Sequence, residues 1–408
     1  MLIGICGSIC SGKHTTAEYL VQHHGFLRLH LPTTRSLPQH EHIHSPSSSS
    51  TLDGDLYDAK QKLNHERLLP SVTDQRGTRG LTFPDVDSLL EFVTKRWREH
   101  WVLTDIVDEA TLEALLRRPF FLLINVDAPV GLRYKRFSDR RKLPPMPILD
   151  FISYNDLQLY GSATNLTSSP STPTQPCTPP PSSKPHHRGT AHLHAHAHLQ
   201  ILNSFHNPQA YSTFLSTLDL ASPTRLRPTW DAYFMTLASL ASQRSNCMKR
   251  RVGCVLVHNS RIISTGYNGT PRNLRNCNEG GCERCNAASS GGSALSTCLC
   301  LHAEENALLE AGRERIREGA VLYCDTCPCL TCSVKIAQVG VKEVVFSQSY
   351  NMDDASRRVL REAGVGLRQF SPPRSGLLGW DGIEELGFGG LERGDDPGRE
   401  LVVVTNGK

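Results

Sequence analysis

The chain has 408 residues, which is longer than one compact domain usually runs, so we expect two folded units and a connecting segment. Its 44 basic and 40 acidic residues nearly balance, and aromatic residues make up 7%. A nucleic-acid-binding groove needs clustered cations and stacking rings, so this composition argues against nucleic acid as a partner. The apolar runs are too short to span a membrane, and the start of the chain lacks the basic flank of a secretory signal. We therefore expect a cytoplasmic protein, with a nuclear location left open.

Composition divides the chain into four regions. Residues 1–160 mix apolar periodic segments with an interruption at 32–51, where His, Ser and Pro replace core-forming residues, and we expect this insertion to be disordered. Residues 161–225 are rich in Ser, Thr, Pro and His, which is typical of a disordered linker. A second domain is expected over 226–370, followed by a glycine-rich C-terminal tail over 371–408.

A short apolar strand at Leu2–Gly7 runs into a glycine-containing loop that ends at Lys13. Gly7 and Gly12 allow backbone amides to wrap a phosphate group, and Lys13 adds a positive charge beside the dipole of the following helix. Where a phosphate-binding loop (P-loop) has Ser or Thr to hold magnesium, this sequence has His14. The pattern predicts an incomplete P-loop.

The N-terminal half resembles P-loop kinases, in particular dephospho-coenzyme A kinase and nucleoside monophosphate kinases. The resemblance extends to an acid that ends the strand Trp101–Asp105 and to the apolar strand Phe120–Ala128, which leads into several arginines. It implies a P-loop kinase-like α/β domain. Because of His14, we expect a degenerate nucleotide-binding or scaffold domain. Binding of a magnesium–nucleotide effector and phosphate transfer are both left open.

From Thr229 onward, helical and strand patterns alternate in the order helix, hairpin, helix, strand, helix, strand. These segments are the helix from Thr229, the hairpin strands Arg251–Val257 and Arg261–Tyr267, the helix Leu301–Ala311, the strand Ala320–Cys324, the helix Pro328–Val339 and the strand Val341–Ser347. The late strand–helix–strand unit requires parallel pairing, so we expect a mixed sheet flanked by helices.

One histidine and two cysteines near predicted helix starts form the most specific motif of the chain. The sequence reads His302-Ala303-Glu304 and later Pro328-Cys329-Leu330-Thr331-Cys332. One imidazole and two thiolates supply three zinc ligands and leave the fourth tetrahedral position open for water, as in catalytic zinc sites. We therefore predict a catalytic zinc held by His302, Cys329 and Cys332.

Glu304 follows the histidine by two residues and is predicted to reach the bound water. As a general acid and base, it would carry protons from the water to the nitrogen atoms of the reacting ring. This combination is the signature of zinc deaminases. The alternative is a closed structural zinc site, in which Cys327 or Cys300 is the fourth ligand and Glu304 is only a solvated helix residue.

Three segments together resemble the deoxycytidylate (dCMP) deaminase family of zinc-dependent cytidine and deoxycytidylate deaminases, particularly its fungal members. They are His302–Ala307, Cys324–Cys332 and Gly266–Pro271. The resemblance implies a cytidine-deaminase-like α/β/α sandwich and hydrolysis of dCMP to dUMP and ammonia, which supplies dUMP for thymidylate synthesis. It also implies a homo-oligomer that dCTP activates and dTTP inhibits.

The resemblance also suggests residues for the substrate or a regulatory nucleotide. Asn268 and Gly269 lie in the glycine loop that would approach the sugar, and Tyr350 is similar to a phosphate-side position in the family. Arg244 and Asn246 belong to a basic and polar cluster before the hairpin. This cluster suits a monophosphate and consists of Arg244, Ser245, Asn246, Lys249, Arg250 and Arg251. The alternative is that the loop is an ordinary turn and that the basic residues are solvated surface charges.

Eleven of the fourteen cysteines fall between Cys247 and Cys332, which favours metal ligands over disulfides in a chain without a secretory signal. Cys282 and Cys285 have the spacing of a zinc ribbon. We predict a second, closed structural zinc with ligands from Cys277, Cys282, Cys285 and Cys298. Unpaired reduced thiols are the alternative.

Two other functions compete with a small-molecule deaminase. One is a deaminase that acts on tRNA, single strands or another cytosine substrate, and the balanced charge argues against it. The other is a non-catalytic zinc-bearing interaction protein with a kinase-like head. That function would require the loss of Glu304 or of a zinc ligand, and the sequence retains them all.

Overall fold

The structure is a computed structural model that describes residues 1–32, 72–73, 79–140, 146–161, 189–287, 295–349, 354–371 and 377–379. The chain divides into two compact units. The first contains Met1–Leu226 and Ser375–Lys408, and the second contains Arg227–Arg374. The predicted insertion after residue 32 and nearly all of the predicted C-terminal tail lie outside the described residues. Over the described ranges, none of the helices is long and apolar enough to cross a membrane.

The first unit alternates strands and helices around a largely parallel sheet. Its elements, apart from one late strand, are β1 (Leu2–Gly7), α1 (Lys13–His24), β2 (Leu27–His30), β3 (Val72–Thr73), β4 (Arg79–Thr82), α2 (Val86–Lys95), β5 (Trp101–Leu103), α3 (Glu109–Leu116), β6 (Phe121–Asp127), α4 (Val130–Arg140), α5 (Ile148–Tyr160), α6 (Ala191–Ala195), β7 (Leu199–Leu202) and α7 (Pro208–Ser216). The strand β1 lies between β5 and β6 and pairs in parallel with both. The predicted strands at the start of the chain, at Trp101 and at Phe120 are confirmed, with ends that differ by one or two residues.

The predicted linker over 161–225 is wrong for residues 189–225, which belong to the first unit. The strand β7 pairs in parallel with β6, and the backbone N–H of His198 donates to the Leu123 carbonyl at 2.9 Å. Three apolar side chains of β7 are buried, namely Leu199, Ile201 and Leu202. A four-residue strand beside a histidine-rich tract contributes too few apolar residues to alter the average composition of its surroundings. Burial at the edge of β6 decides its structure instead.

The second unit contains the elements that the sequence predicted and three further short elements. They are α8 (Trp230–Ser242), β8 (Gly253–His258), β9 (Arg261–Tyr267), α9 (Glu283–Asn286), α10 (Ala303–Ala311), β10 (Val321–Thr326), α11 (Leu330–Gln338), β11 (Glu343–Gln348), α12 (Asp354–Glu362) and β12 (Gly366–Gln369). The first unit also contains the late strand β13 (Leu377–Leu378), which pairs in parallel with β7.

The sheet of the second unit has the strand order β12-β11-β10-β8-β9. The strands β8 and β9 form an antiparallel hairpin, β8 also pairs antiparallel with β10, and β10, β11 and β12 run parallel to one another. Apolar side chains of α10, α11 and α12 cover one face, and those of α8 cover the other. The predicted mixed sheet and α/β/α layering are therefore confirmed.

Gly266 on β9 lets the helix α10 approach the sheet. A Cβ atom at Gly266 would lie 2.1 Å from the Ala303 carbonyl oxygen and 2.5 Å from the Ala307 nitrogen. Both neighbours are backbone atoms, so neither can rotate away. The side chain of Ser264 on the same strand donates to the Ala307 carbonyl at 2.7 Å and fixes this close packing.

We expect Gly266→Ala to destabilise the second unit by about 2 kcal/mol, because the added methyl group must push α10 away from β9. Hydrogen exchange measured by mass spectrometry on the full-length protein reads the loss in peptides of α10 and β9. Gly366→Ala on β12 is the matched control, since its new Cβ would meet nothing closer than 3.4 Å. Equal protection in the two variants would contradict this account of the packing.

Candidate metal centre

Two helix N-termini converge in the second unit, and the predicted zinc ligands lie on them. His302 is the N-cap of α10, Cys329 is the N-cap of α11, and Cys332 lies in the first turn of α11. The strand β10 connects the two helices, which also contact each other through an ion pair between Lys335 Nζ and Glu305 Oε1 at 2.5 Å. The positive ends of both helix dipoles therefore point toward one place, where thiolates are stabilised.

The three ligand atoms have the separations that a tetrahedral zinc requires. The Nδ1 atom of His302 is 3.3 Å from Cys329 Sγ and 3.4 Å from Cys332 Sγ. Zinc bonds of ordinary length to nitrogen and sulfur place two such ligands about 3.5 Å apart. Hydrogen bonds from Cys332 and from His302 lower the pKa of the Cys329 thiol to about 3, which favours the thiolate form that binds zinc. The donor set therefore fits zinc.

Within the described ranges, the closed-site alternative fails for lack of a fourth ligand. Of the histidine, cysteine and carboxylate side chains, only His302, Cys329 and Cys332 bring ligand atoms together at this centre. Cys300, one of the two predicted candidates for the closed site, belongs to other cysteine groups. Cys327, the second candidate, belongs neither to the group of His302, Cys329 and Cys332 nor to the groups made of cysteines alone. Among the described residues, the centre thus brings together three side chains that could hold a metal ion.

Glu304 lies beside the three predicted ligands. Its side chain is 4% exposed, and it lines the same pocket as His302 and Cys329. Burial raises the pKa of Glu304 to about 7. A carboxyl group with a pKa near neutrality accepts and releases protons with little cost, which suits a general acid and base.

The pocket in front of the metal centre has a volume of about 650 Å³, within the usual range for small-molecule sites. Three basic side chains line it, namely Lys249, Arg250 and Arg284. Lys249 and Arg250 belong to the basic cluster noted in the sequence. The sequence reasoning missed Arg284, whose only signal was its place inside the Cys282-Glu283-Arg284-Cys285 motif.

Asn268 lines this pocket, and both its side-chain oxygen and its side-chain nitrogen form hydrogen bonds to other residues of the protein. The Oδ1 atom accepts hydrogen bonds from Ser245 Oγ at 2.7 Å and from the Val252 backbone N–H at 2.8 Å. The Nδ2 atom donates to the Arg250 carbonyl at 2.7 Å. Asn268 therefore fixes the glycine loop against the segment that carries the basic side chains.

The other residues predicted for nucleotide binding lie at different distances from the centre. Gly269 exchanges two backbone hydrogen bonds with Leu301, immediately before His302, and Asn246 Oδ1 accepts from the Thr270 backbone N–H at 3.3 Å. Arg244 is exposed and is absent from the described lining of the pocket. Tyr350 lies outside the described residues.

The predicted second zinc site is assembled differently from the prediction. Six cysteines cluster, and they form two groups of four ligand atoms within 4.8 Å of one another: Cys247, Cys277, Cys285 and Cys300, and Cys282, Cys285, Cys298 and Cys300. Cys277 and Cys298, both predicted ligands of one ion, fall in different groups. The sequence placed Cys300 in the same cysteine group but not among the four predicted ligands, and it did not include Cys247, which lies 30 residues before Cys277.

The loop predicted to bind phosphate joins β1 to α1 in the first unit. Gly12 is the N-cap of α1 with φ of +109°, and Lys13 is the first residue of that helix. Gly7 has φ of +154°, and a Cβ atom there would lie 2.1 Å from the Val126 carbonyl oxygen. The Arg136 guanidinium donates to the Cys10 carbonyl at 3.2 Å and holds the loop from outside.

Comparison with known proteins identifies the class first. Residues 228–348 match the family model described as the cytidine and deoxycytidylate deaminase zinc-binding region. That span includes the three ligands of the metal centre and Glu304. The second unit is therefore a zinc-dependent deaminase domain with the cytidine deaminase-like fold.

Longer relatives define the family. A deoxycytidylate deaminase of Schizosaccharomyces pombe is 45% identical over 376 residues, which is 92% of this chain and 99% of the relative. One from Saccharomyces cerevisiae is 44% identical and covers 70% of this chain and 86% of the relative. A structure of dCMP deaminase from cyanophage S-TIM5 in complex with dCMP and dUMP is 33% identical, covers 35% of this chain and 98% of that chain, and has a TM-score of 0.30. The chain belongs to the deoxycytidylate deaminase family.

We expect Asn268→Ala to cost about 2 kcal/mol of stability, because it leaves buried polar partners in the loop without hydrogen bonds. Protection from hydrogen exchange in peptides around Ser245 and Val252 should fall, and catalytic efficiency should fall with it. Asn278→Ala, at an exposed asparagine of the same unit, is the matched control. A variant that lost only substrate affinity, with unchanged protection, would instead make Asn268 a direct substrate ligand.

Proposed function

We propose that the second unit hydrolyses dCMP to dUMP and ammonia and thereby supplies dUMP for thymidylate synthesis in the cytoplasm, with a nuclear location left open. The observation that carries this proposal is that His302, Cys329 and Cys332, which could hold a metal ion, lie beside a pocket that also contains Glu304. A structural zinc site has no use for an open position or for a buried carboxyl group beside it. The family membership supports the same reaction.

The reaction moves two protons from the attacking water to nitrogen atoms of the substrate. Glu304 suits this role because it can both accept and release a proton. Zinc held by His302, Cys329 and Cys332 would supply a water of lowered pKa as the nucleophile for C4 of the cytosine ring. Glu304 accepts the first proton of that water and passes it to ring N3. It then accepts the second proton, from the hydroxyl now on C4, and delivers it to the amino group, which leaves as ammonia when the C4–N bond breaks. Burial keeps bulk water from competing for these protons.

The basic side chains of the pocket suit a substrate that carries a phosphate. Lys249, Arg250 and Arg284 supply three cations in the same pocket as the metal centre. A free nucleoside or base offers nothing for this charge to bind, whereas the monophosphate of dCMP carries two negative charges near neutral pH. The pocket chemistry therefore favours a nucleotide over a nucleoside.

We expect the full-length protein to release ammonia from dCMP and not from deoxycytidine or a cytosine-containing oligonucleotide, because only dCMP presents both the ring and a terminal phosphate. Glu304→Gln should lower turnover on the order of 10³-fold while zinc content stays unchanged, since the amide cannot carry a proton. Ammonia release and metal analysis measure the two quantities on the same samples.

Glu310→Gln is the matched control for that experiment, because it makes the same chemical change on the same helix at an exposed ion pair with Arg272. It should retain full turnover. Turnover of the oligonucleotide alone would establish a nucleic-acid deaminase instead. Undiminished activity in Glu304→Gln would refute the proton-transfer role.

Regulation by dCTP and dTTP and assembly into a homo-oligomer are part of the same proposal. Family membership supports both, and the glycine loop supports the first. Gly269 and Leu301 exchange two backbone hydrogen bonds, so a nucleotide bound at the loop would act directly on the residue before His302. Asn246 joins this loop from the preceding segment, and Arg244 and Tyr350 complete the residues proposed for nucleotide binding.

For the first unit, we propose a P-loop kinase-like domain that binds a nucleotide phosphate and does not transfer it. The observation in favour is a parallel strand followed by a loop in which Gly7 and Gly12 have positive φ and Lys13 begins the helix. Ser11 Oγ in this loop is buried and has no hydrogen-bond partner in the described structure. A bound phosphate oxygen would satisfy it.

The side chains available for magnesium argue against phosphate transfer in the first unit. Thr16 Oγ1, one turn into α1, lies 2.8 Å from Tyr211 Oη and donates to the Gly12 carbonyl at 3.2 Å. Asp105 Oδ2 lies 3.2 Å from His30 Nδ1 and accepts from the Leu31 backbone N–H at 3.3 Å. His14 stands at the position of the magnesium-binding hydroxyl, and the nearby Thr16 hydroxyl and Asp105 carboxylate are engaged within the protein.

We expect Lys13→Ala to weaken binding of ATP by at least about tenfold in calorimetric titration of the full-length protein, because the loop loses its cation. Deamination of dCMP should be unchanged. Lys95→Ala, which removes an exposed lysine from an ion pair on α2, is the control. Hydrogen exchange in the peptide that spans β1 and α1 locates the binding. The absence of ATP binding by the unmodified protein would leave the first unit as a scaffold.

A further inference from the structure

A compact cluster of cysteine sulfur atoms lies beside the catalytic pocket, formed by side chains from separate parts of the chain. Its members are Cys247, Cys277, Cys282, Cys285, Cys298 and Cys300. Five of the six are buried, and Cys298 is half-buried. All six are free thiols, so no disulfide explains why they gather.

The sulfur separations match metal coordination. The Sγ atom of Cys285 is 3.8 Å from that of Cys247, 3.8 Å from that of Cys298 and 3.9 Å from that of Cys300. Cys282 and Cys298 are 3.9 Å apart. Two thiolates on one tetrahedral zinc are separated by about 3.8 Å, whereas sulfur atoms joined in a disulfide are about 2.05 Å apart.

The six sulfur atoms form two tetrahedral ligand sets that share an edge. Each set contains four sulfur atoms within 4.8 Å of one another, and both contain Cys285 and Cys300. A single zinc takes four thiolates and would leave two cysteines of the cluster without a metal. Two ions use all six sulfur atoms when Cys285 and Cys300 bridge them.

We propose that these six cysteines hold a binuclear zinc–thiolate cluster, in which Cys285 and Cys300 bridge two ions. Cys247 and Cys277 complete the shell of one ion, and Cys282 and Cys298 complete the shell of the other. Each zinc has four sulfur ligands and no open position, so the cluster is structural and carries no reaction.

The surroundings of the cluster suit thiolates. The backbone N–H of Met248 points at Cys277 Sγ and that of Leu299 at Cys282 Sγ, each at 3.4 Å. Two zinc ions and six thiolates together carry a net double negative charge, and donors that point at sulfur lower the cost of burying it. Arg284 Nη1 lies 3.6 Å from Cys298 Sγ and adds a positive charge.

The cluster connects the insertion after the glycine loop to the catalytic centre. Cys300 stands two residues before His302, and Leu301 between them pairs with Gly269. Cys247 stands two residues before Lys249, and Cys285 follows Arg284 directly. A rigid metal cluster therefore fixes the position of the catalytic histidine and of two basic residues of the pocket.

Metal analysis of the full-length protein, purified under reducing conditions, tests the stoichiometry. We expect three zinc ions per chain, two after His302→Ala and about one after Cys285→Ser, because loss of a bridging sulfur releases both cluster ions. Cys254→Ser, a buried cysteine of β8 outside both groups, is the matched control and should retain three ions. Two ions in the unmodified protein, or iron in place of zinc, would overturn the proposal.

Cadmium substitution tests the bridging sulfur atoms without any mutation. After exchange with ¹¹³Cd, the full-length protein should give one resonance that disappears in His302→Ala and two further resonances that couple to each other through the shared thiolates. X-ray absorption at the zinc edge should contain a metal–metal distance on the order of 3 Å. Two uncoupled cadmium signals, or one signal from the cluster, would contradict the binuclear arrangement.

Discussion

The proposed function depends on coordination of one zinc ion by groups at two helix starts. His302 caps α10, Cys329 caps α11, and the parallel unit of β10, α11 and β11 determines where the second helix begins relative to the first. Neither helix start is a metal site by itself. Close packing of α10 on β9 at Gly266, the ion pair between Lys335 and Glu305, and the buried faces of both helices hold the three ligand atoms together.

The surroundings of the centre divide into parts that do chemistry and parts that hold it in position. Glu304 lies in the pocket and is buried, which suits the proposed transfer of protons away from bulk water. Asn268 is also buried, and its side-chain amide forms hydrogen bonds to Ser245, Val252 and Arg250 that hold the loop in position. The cysteine cluster also contacts the segment before His302, because Cys300 stands two residues before that histidine.

The fold of the second unit could be predicted because its signals are local. Thr229 accepts a hydrogen bond from the Ala232 backbone N–H at the start of α8, and the apolar spacing that follows it has the helical period. His302, Glu304, Cys329 and Cys332 were predictable because their spacing in sequence carries the chemistry with it.

What the sequence did not reveal depends on contacts between distant segments. Cys247 and Cys300 join Cys285 only after folding, so no spacing rule identifies the ligand sets of six cysteines. The strand at Leu199–Leu202 exists because it completes the edge beside β6, although the histidines before it are typical of a linker. Arg284 enters the pocket because the cysteine cluster positions it, which no local pattern of charge indicates.

The central claim is that the catalytic zinc has three protein ligands and one open position beside Glu304. Anomalous diffraction at the zinc edge, on crystals of the full-length protein, measures this most directly. The account predicts an ion bound to His302, Cys329 and Cys332, with a single light atom as its fourth ligand on the side of Glu304. A centre without zinc, or one whose fourth ligand is the sulfur of Cys327 or Cys300, would contradict it.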